Sequence, residues 1–152
     1  MSAVRRIADL RPSPRIAKRG RHWVAAPVLI VAAVLGLIIW SQLAVGGGGN
    51  LTVFVVFGRM FASAIHPPAG TLLNTATGYD GQFFYVQALD PLLLHDATVH
   101  ALSAAGAAFR MQRVAYPALA YLLAGGRPSA VPFGLLAVNV LIVLGLTAAV
   151  AA

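Results

Sequence analysis

The sequence predicts an all-α membrane protein in which two transmembrane helices flank a helical extracytoplasmic loop. Three observations carry that expectation. The 152 residues are 59% hydrophobic and only 10% charged, with a mean hydropathy of +0.81. A soluble domain carries about 25% charged residues, so this chain has too few to cover a globular surface. Two long runs, 23–45 and 131–152, contain no charged side chain at all. Finally, Arg5, Arg6, Arg11, Arg15, Lys18, Arg19 and Arg21 crowd directly ahead of the first run, within a net charge of +7.

Residues 1–22 form the basic tail. Lys and Arg beside a span favour the cytoplasmic side, which predicts a multi-pass protein of the plasma membrane with a cytoplasmic N-terminus. Anionic membrane lipid is the partner expected for such a tail. Nucleic acid is not expected, because no folded reading module accompanies the charges. Residues 23–45 exceed the roughly 20 apolar residues a span requires. Trp23 and Trp40 sit toward its ends, where amphipathic rings favour the interface. Pro27 falls in the first turn of this run, where a missing N–H costs little. A secretory signal has an apolar core of about 7–15 residues and a small-residue cleavage site after it; this run is longer and lacks a clean site, so it is read as a retained span.

The loop, 46–130, begins with "GGGGN". Four glycines break the helix, and Asn50 is placed to cap a new one. "LTVFVVFGRMFASAI", 51–65, is apolar but too short to cross, so a helix lying at the membrane surface or under other helices is expected. "HPPAG" ends it. "GYDGQFFYVQALDP", 78–91, then gathers Asp80 and Asp90, two of only four acidic residues. A helix is expected from Asp80, with Phe83, Phe84 and Tyr85 as headgroup anchors. Asp90-Pro91 suits the cap and first position of a further helix. Residues 107–124 read as a helix kinked or restarted at Pro117 and stopped at Gly125-Gly126. Arg110 and Arg113, three apart, would share one face of it. The second span, 131–152, carries Asn139, which should find a partner on a neighbouring helix. It stops in apolar sequence without following Lys or Arg, so a truncated or split reading frame is expected.

Chemistry-bearing residues are few. There is no cysteine, hence no thiol nucleophile and no thiolate metal site. His95 and His100 are five apart, a spacing that does not place both on one helical face for a metal. Asp80 stands between Tyr79 and Gly81, with glycine on either side of the pair. That pattern suggests a turn exposing a carboxylate at a helix start, poised as a general base or as a ligand for a divalent metal. The plainer role is a helix cap. Tyr79 and Gln82 flank this position as candidate substrate contacts. Arg110 and Arg113 could hold a phosphate, or merely snorkel toward headgroups.

"GYDGQFFYVQALDP" followed by "FRMQRVAYPALAYLLAGG" resembles the N-terminal part of GT-C-type membrane glycosyltransferases that build bacterial cell-surface glycopolymers. The likeness covers about residues 51–135. It implies inverting transfer of a sugar from a polyprenyl-phosphate donor to an extracytoplasmic acceptor. It also implies that Asp80 is the catalytic base or a metal-associated carboxylate, and that Arg110 and Arg113 contact the lipid phosphate. Such folds have many more than two spans. The remaining spans would then belong to the rest of a longer or split enzyme, and these residues alone would be inactive. The alternative is a small two-span protein without enzymatic activity that binds a membrane partner or anionic lipid.

Overall fold

The computed structural model describes residues 14–74, 76–104, 106 and 108–152, with the side chains of 14–22, Ala104, Ala108 and Arg110 outside that description. Arg5, Arg6 and Arg11 lie outside the described residues. The chain is mostly helical. Helix α1 runs Pro14–Ser41 and continues as a π-helical turn, Gln42–Gly47. Helix α6 runs Val131–Ala151. Two segments, Trp23–Gly47 and Pro128–Ala151, are long and apolar enough to cross a membrane. Because α1 begins well before Trp23, Pro27 lies inside the helix rather than in its first turn. The first two glycines of "GGGGN" belong to the π-helical turn, and the helix stops at Gly48, in the left-handed region. Helix α6 packs against α1.

Between the two long helices lies a small packed unit. It holds α2 (Ala62–Ile65), α3 (Gly81–Leu89), α4 (Asp96–Ala104) and α5 (Ala115–Leu123). Strand β1 (Phe57–Gly58) pairs in parallel with β2 (Leu73–Asn74), through Phe57–Leu73 and Gly58–Asn74. Asn50 caps as expected: its Oδ1 accepts from the Thr52 N–H at 3.0 Å, while its Nδ2 donates to the Gly70 carbonyl. The Thr52 hydroxyl in turn accepts from the Leu72 N–H. These bonds tie the segment after the first long helix to the 66–72 turn.

The single helix expected over 51–65, at the membrane surface or under other helices, is broken into a 3₁₀ turn at Leu51–Phe54, β1, a second 3₁₀ turn at Arg59–Phe61, and α2. The break falls at Val56, whose φ of 56° puts a β-branched residue in the left-handed region. That conformation costs roughly 1–2 kcal/mol. It persists because the Val56 carbonyl accepts from the Tyr79 N–H at 3.1 Å, across the unit.

Helix α3 is the centre of the core, not a surface element. Phe83 and Tyr85 are buried and Phe84 is half-buried, so the expected headgroup anchors are packing residues instead. Each finds an edge-on aromatic partner: Tyr85 on Phe57, Phe83 on Phe61, Phe84 on Tyr116. Such pairs add about 0.5–1.5 kcal/mol beyond area burial. The core continues through Val55, Ile65, Leu102, Ala120 and Ala124 onto one stripe of α6, namely Val131, Leu135 and Val138. That spacing of four and three is one face of a helix. The first eight residues of α6, a potential membrane helix, therefore also wall the unit between the two long helices.

Helices α5 and α6 meet most closely at Gly134. A Cβ there would stand 2.3 Å from the Ala120 carbonyl oxygen, so only glycine allows the approach. Tyr116, four residues before Ala120, donates its hydroxyl hydrogen to the Leu135 carbonyl and accepts from Asn139 Nδ2 at 2.8 Å. Asn139 thus has the interhelical partner its sequence position called for. Pro117 falls in the first turn of α5, where it needs no kink, and the helix ends at Gly125-Gly126 as expected.

Gly134→Ala is expected to lower the thermal unfolding midpoint in detergent, at a cost of about 1–3 kcal/mol for an overpacked contact. Gly145→Ala, on the same helix with nothing within 4 Å of the added carbon, should leave the midpoint unchanged or raised.

Candidate functional site

The "GYDG" turn is built by backbone packing. Gly78 has a φ of 70°, and a Cβ on it would meet the Gly58 nitrogen and the Val56 oxygen at 2.5 Å. A Cβ on Gly81 would stand 2.6 Å from the Val55 oxygen. Both glycines are required because the turn lies directly on the 55–58 backbone. Asp80, between them, is half-buried at the start of α3. Its carbonyl accepts from the Phe83 and Phe84 N–H groups and opens the helix. Its carboxylate makes no capping hydrogen bond. The plain capping role is therefore not the one its side chain takes.

Tyr79 is 71% exposed beside it. Gln82 is not available to a substrate. It is 1% exposed; its Oε1 accepts from the Gly58 N–H at 2.9 Å and its Nε2 donates to the Thr77 carbonyl. The side chain ties α3 to β1, and an unmet amide at that depth would cost about 1–3 kcal/mol.

Arg110 and Arg113 do not share a helical face. A 3₁₀ helix, Ala108–Gln112, ends before Arg113, which lies in the two-residue link to α5. The Arg110 side chain lies outside the described residues. The 3₁₀ helix before that link is held by buried Gln87, whose Nε2 donates to the Met111 carbonyl at 3.0 Å. Arg113 is exposed, and with Phe54, Gly81, Phe84, Tyr116 and Asn139 it lines an open cleft of about 430 Å³. A smaller recess of about 130 Å³ adjoins it, sharing Phe54, Gly81, Tyr116 and Asn139 and walled by Val55, Pro132, Leu135 and Leu136. One guanidinium, one phenol and one amide thus face a cavity with aromatic and aliphatic walls. Such a cleft suits an anionic head with an apolar body.

The structure therefore brings Arg113 and the start of α3 to one cleft, adds Tyr116 and Asn139, and removes Gln82. Tyr116 gave no sequence signal of a site, because its role depends on α5 folding onto α6. Among the described residues no group of three or more His, Asp or Glu side chains could hold a metal ion.

Asp90, expected to cap a helix from Pro91, instead closes a turn. Leu93, with a φ of 54°, donates its N–H to the Asp90 carbonyl, and α4 starts only at Asp96. The buried carboxylate accepts from the Leu94 and His95 N–H groups at 2.9 and 2.8 Å and lies 3.2 Å from His95 Nδ1. Burial by itself raises this pKa. The two backbone donors and the His95 ring outweigh it, and the carboxyl is held below its ordinary value. A lowered carboxyl stabilises the fold above the ordinary aspartate range near pH 4, and that contribution disappears as pH falls through the lowered value. Asp90→Asn should lower the unfolding midpoint at pH 6 and shrink its drop between pH 6 and pH 3. An unchanged drop would separate Asp90 from acid stability.

Compared with known proteins, the chain matches no family model, no curated protein and no solved structure.

Proposed function

We propose that these residues form the first catalytic loop of a GT-C-like glycosyltransferase that moves a sugar from a polyprenyl phosphate to an extracytoplasmic acceptor. The basic tail then lies in the cytoplasm and the 46–130 unit on the other side of the plasma membrane. One observation supports this reading above the rest. The start of α3, where Asp80 stands, borders the same cleft as Arg113, at the flank of a potential membrane helix.

The chemistry follows from those groups. The Asp80 carboxylate accepts the proton of an acceptor hydroxyl as its oxygen attacks the anomeric carbon. The bond from that carbon to the phosphate oxygen breaks on the opposite face, inverting the centre. The polyprenyl phosphate leaves with added negative charge, which Arg113 stabilises by charge-assisted hydrogen bonds. Asn139 and Tyr116, bonded to each other, hold the cleft wall in position. Exposed Tyr79 is placed to contact the acceptor. General-base assistance accounts for about 10²–10⁴-fold of rate; other spans of the polypeptide would supply the rest of the donor and acceptor sites.

Asp80→Asn, in the full-length polypeptide that carries this segment, should lower transfer from a labelled polyprenyl-phosphate sugar by about 10²–10⁴-fold at unchanged membrane abundance. Arg113→Ala should raise KM for the donor. Retained transfer by Asp80→Asn would remove that residue from the mechanism. Donor binding that Arg113→Ala weakens, with no transfer by the wild type, would favour the two-span lipid-binding alternative.

A further inference from the structure

We propose that Asn139 is a specificity-determining residue of the cleft: its Oδ1 accepts a hydrogen bond from a hydroxyl of the sugar, while Arg113 holds the phosphate to which that sugar is joined. The inference rests on the cleft being the donor site of the transfer proposed above. It adds which side chain tells a glycosyl phosphate from a phosphate ester without a sugar.

The hydrogen bonds at Tyr116 fix which way the Asn139 amide faces. A phenol has one hydrogen to give. Tyr116 gives it to the Leu135 carbonyl at 3.1 Å and accepts from Asn139 Nδ2 at 2.8 Å. With the amide turned over, Oδ1 would compete with the Leu135 carbonyl for that single hydrogen, and Nδ2 would lose its acceptor. The nitrogen is therefore held on Tyr116. Oδ1 is left as an acceptor with no partner among the described residues. Asn139 is exposed, and it lines both the cleft of about 430 Å³ and the recess of about 130 Å³ beside it.

The polar side chains of the cleft then divide by role. Arg113 offers donors only, and its guanidinium has no ion-pair partner among the described residues. Tyr116 has used its hydrogen, so toward a ligand it and Asn139 Oδ1 can only accept. A phosphate diester without a sugar carries acceptors alone. It satisfies Arg113 and leaves Asn139 Oδ1 without a donor. A glycosyl phosphate brings the same anion together with ring hydroxyls, which donate. A site built to bond a hydroxyl discriminates against the analogue that lacks it, because the site's own polar group is then left unpaired. The cleft volume lies within the range of about 300–1,000 Å³ usual for small-molecule sites.

The test compares probes of equal charge, binding to the whole chain in nonionic detergent by titration calorimetry. Decyl methyl phosphate has no hydroxyl; decyl glucosyl phosphate and decyl mannosyl phosphate carry a sugar. The readout is the ratio of Kd for the methyl probe to Kd for the tighter glycosyl probe, so a general loosening of the cleft cancels. The wild type is expected to favour a glycosyl probe by about two- to tenfold, the worth of one neutral hydrogen bond. Asn139→Leu should bring the ratio to unity. Tyr116→Phe, which frees the amide to turn, should lower it part of the way. Arg113→Ala should weaken every probe while a glycosyl preference persists. A ratio of unity in the wild type, or one that Asn139→Leu does not diminish, overturns the proposal. Binding of the methyl probe that Arg113→Ala weakens would then leave the phosphate site, and the reading it rests on, standing. No binding of any probe overturns both. Should Asn139→Leu bind nothing, Tyr116→Phe decides, and an undiminished ratio there overturns the proposal.

Discussion

The fold turns on the approach of α5 to α6. The Ala120 carbonyl rests where a side chain on Gly134 would begin, and the Tyr116 hydroxyl, bridging the Leu135 carbonyl and the Asn139 amide, fixes the rotation and height of one helix on the other. Close backbone approach at a small residue plus an interhelical polar bond is the means by which helices associate where no hydrophobic drive exists between them. Once α5 is held there, α3 packs across it through Phe84 on Tyr116, and the cleft between α3, α5 and α6 takes its shape.

A second constraint sets the rim of that cleft. The turn before α3 lies so close to the 55–58 backbone that Gly78 and Gly81 admit no side chain, and Gln82 bonds the Gly58 N–H of β1 and the Thr77 carbonyl of the turn. Strain at Val56 is held in place by the same contacts. Strained backbone that the surroundings over-determine is found preferentially where function needs a fixed geometry. Here it lies under the turn that carries Asp80.

Much of this was legible in the sequence where the signal is local or compositional. The two apolar runs, the Asn50 cap, the stop at Gly125-Gly126 and the need of Asn139 for a partner all follow from short-range chemistry. The resemblance to glycosyltransferases pointed to Asp80, and the structure adds that its carboxylate is not used as a cap. What was not legible depends on distant contacts. Phe83 and Tyr85 read as membrane anchors because nothing local says that Phe57 and Phe61 fold over them. Gln82 read as a substrate contact because its partners, Gly58 and Thr77, become neighbours only through the turn. Arg110 and Arg113 read as one face because the break after Gln112 has no glycine or proline to mark it. Tyr116 stood inside the quoted "FRMQRVAYPALAYLLAGG" stretch, but nothing local singled it out as a cleft residue until α6 came beside it.

The most direct test of the central contact is a double-mutant cycle on Tyr116 and Asn139. Unfolding free energies of the wild type, Tyr116→Phe, Asn139→Leu and the double variant are measured by reversible denaturation in mixed micelles. A direct interhelical hydrogen bond predicts a coupling energy of about 0.6 kcal/mol, the average for such pairs in a membrane protein, and at most about 1.7 kcal/mol. Strictly additive losses, with no coupling beyond about 0.3 kcal/mol, would mean that α5 does not sit against α6 in this register, and the cleft between them would fall with that contact.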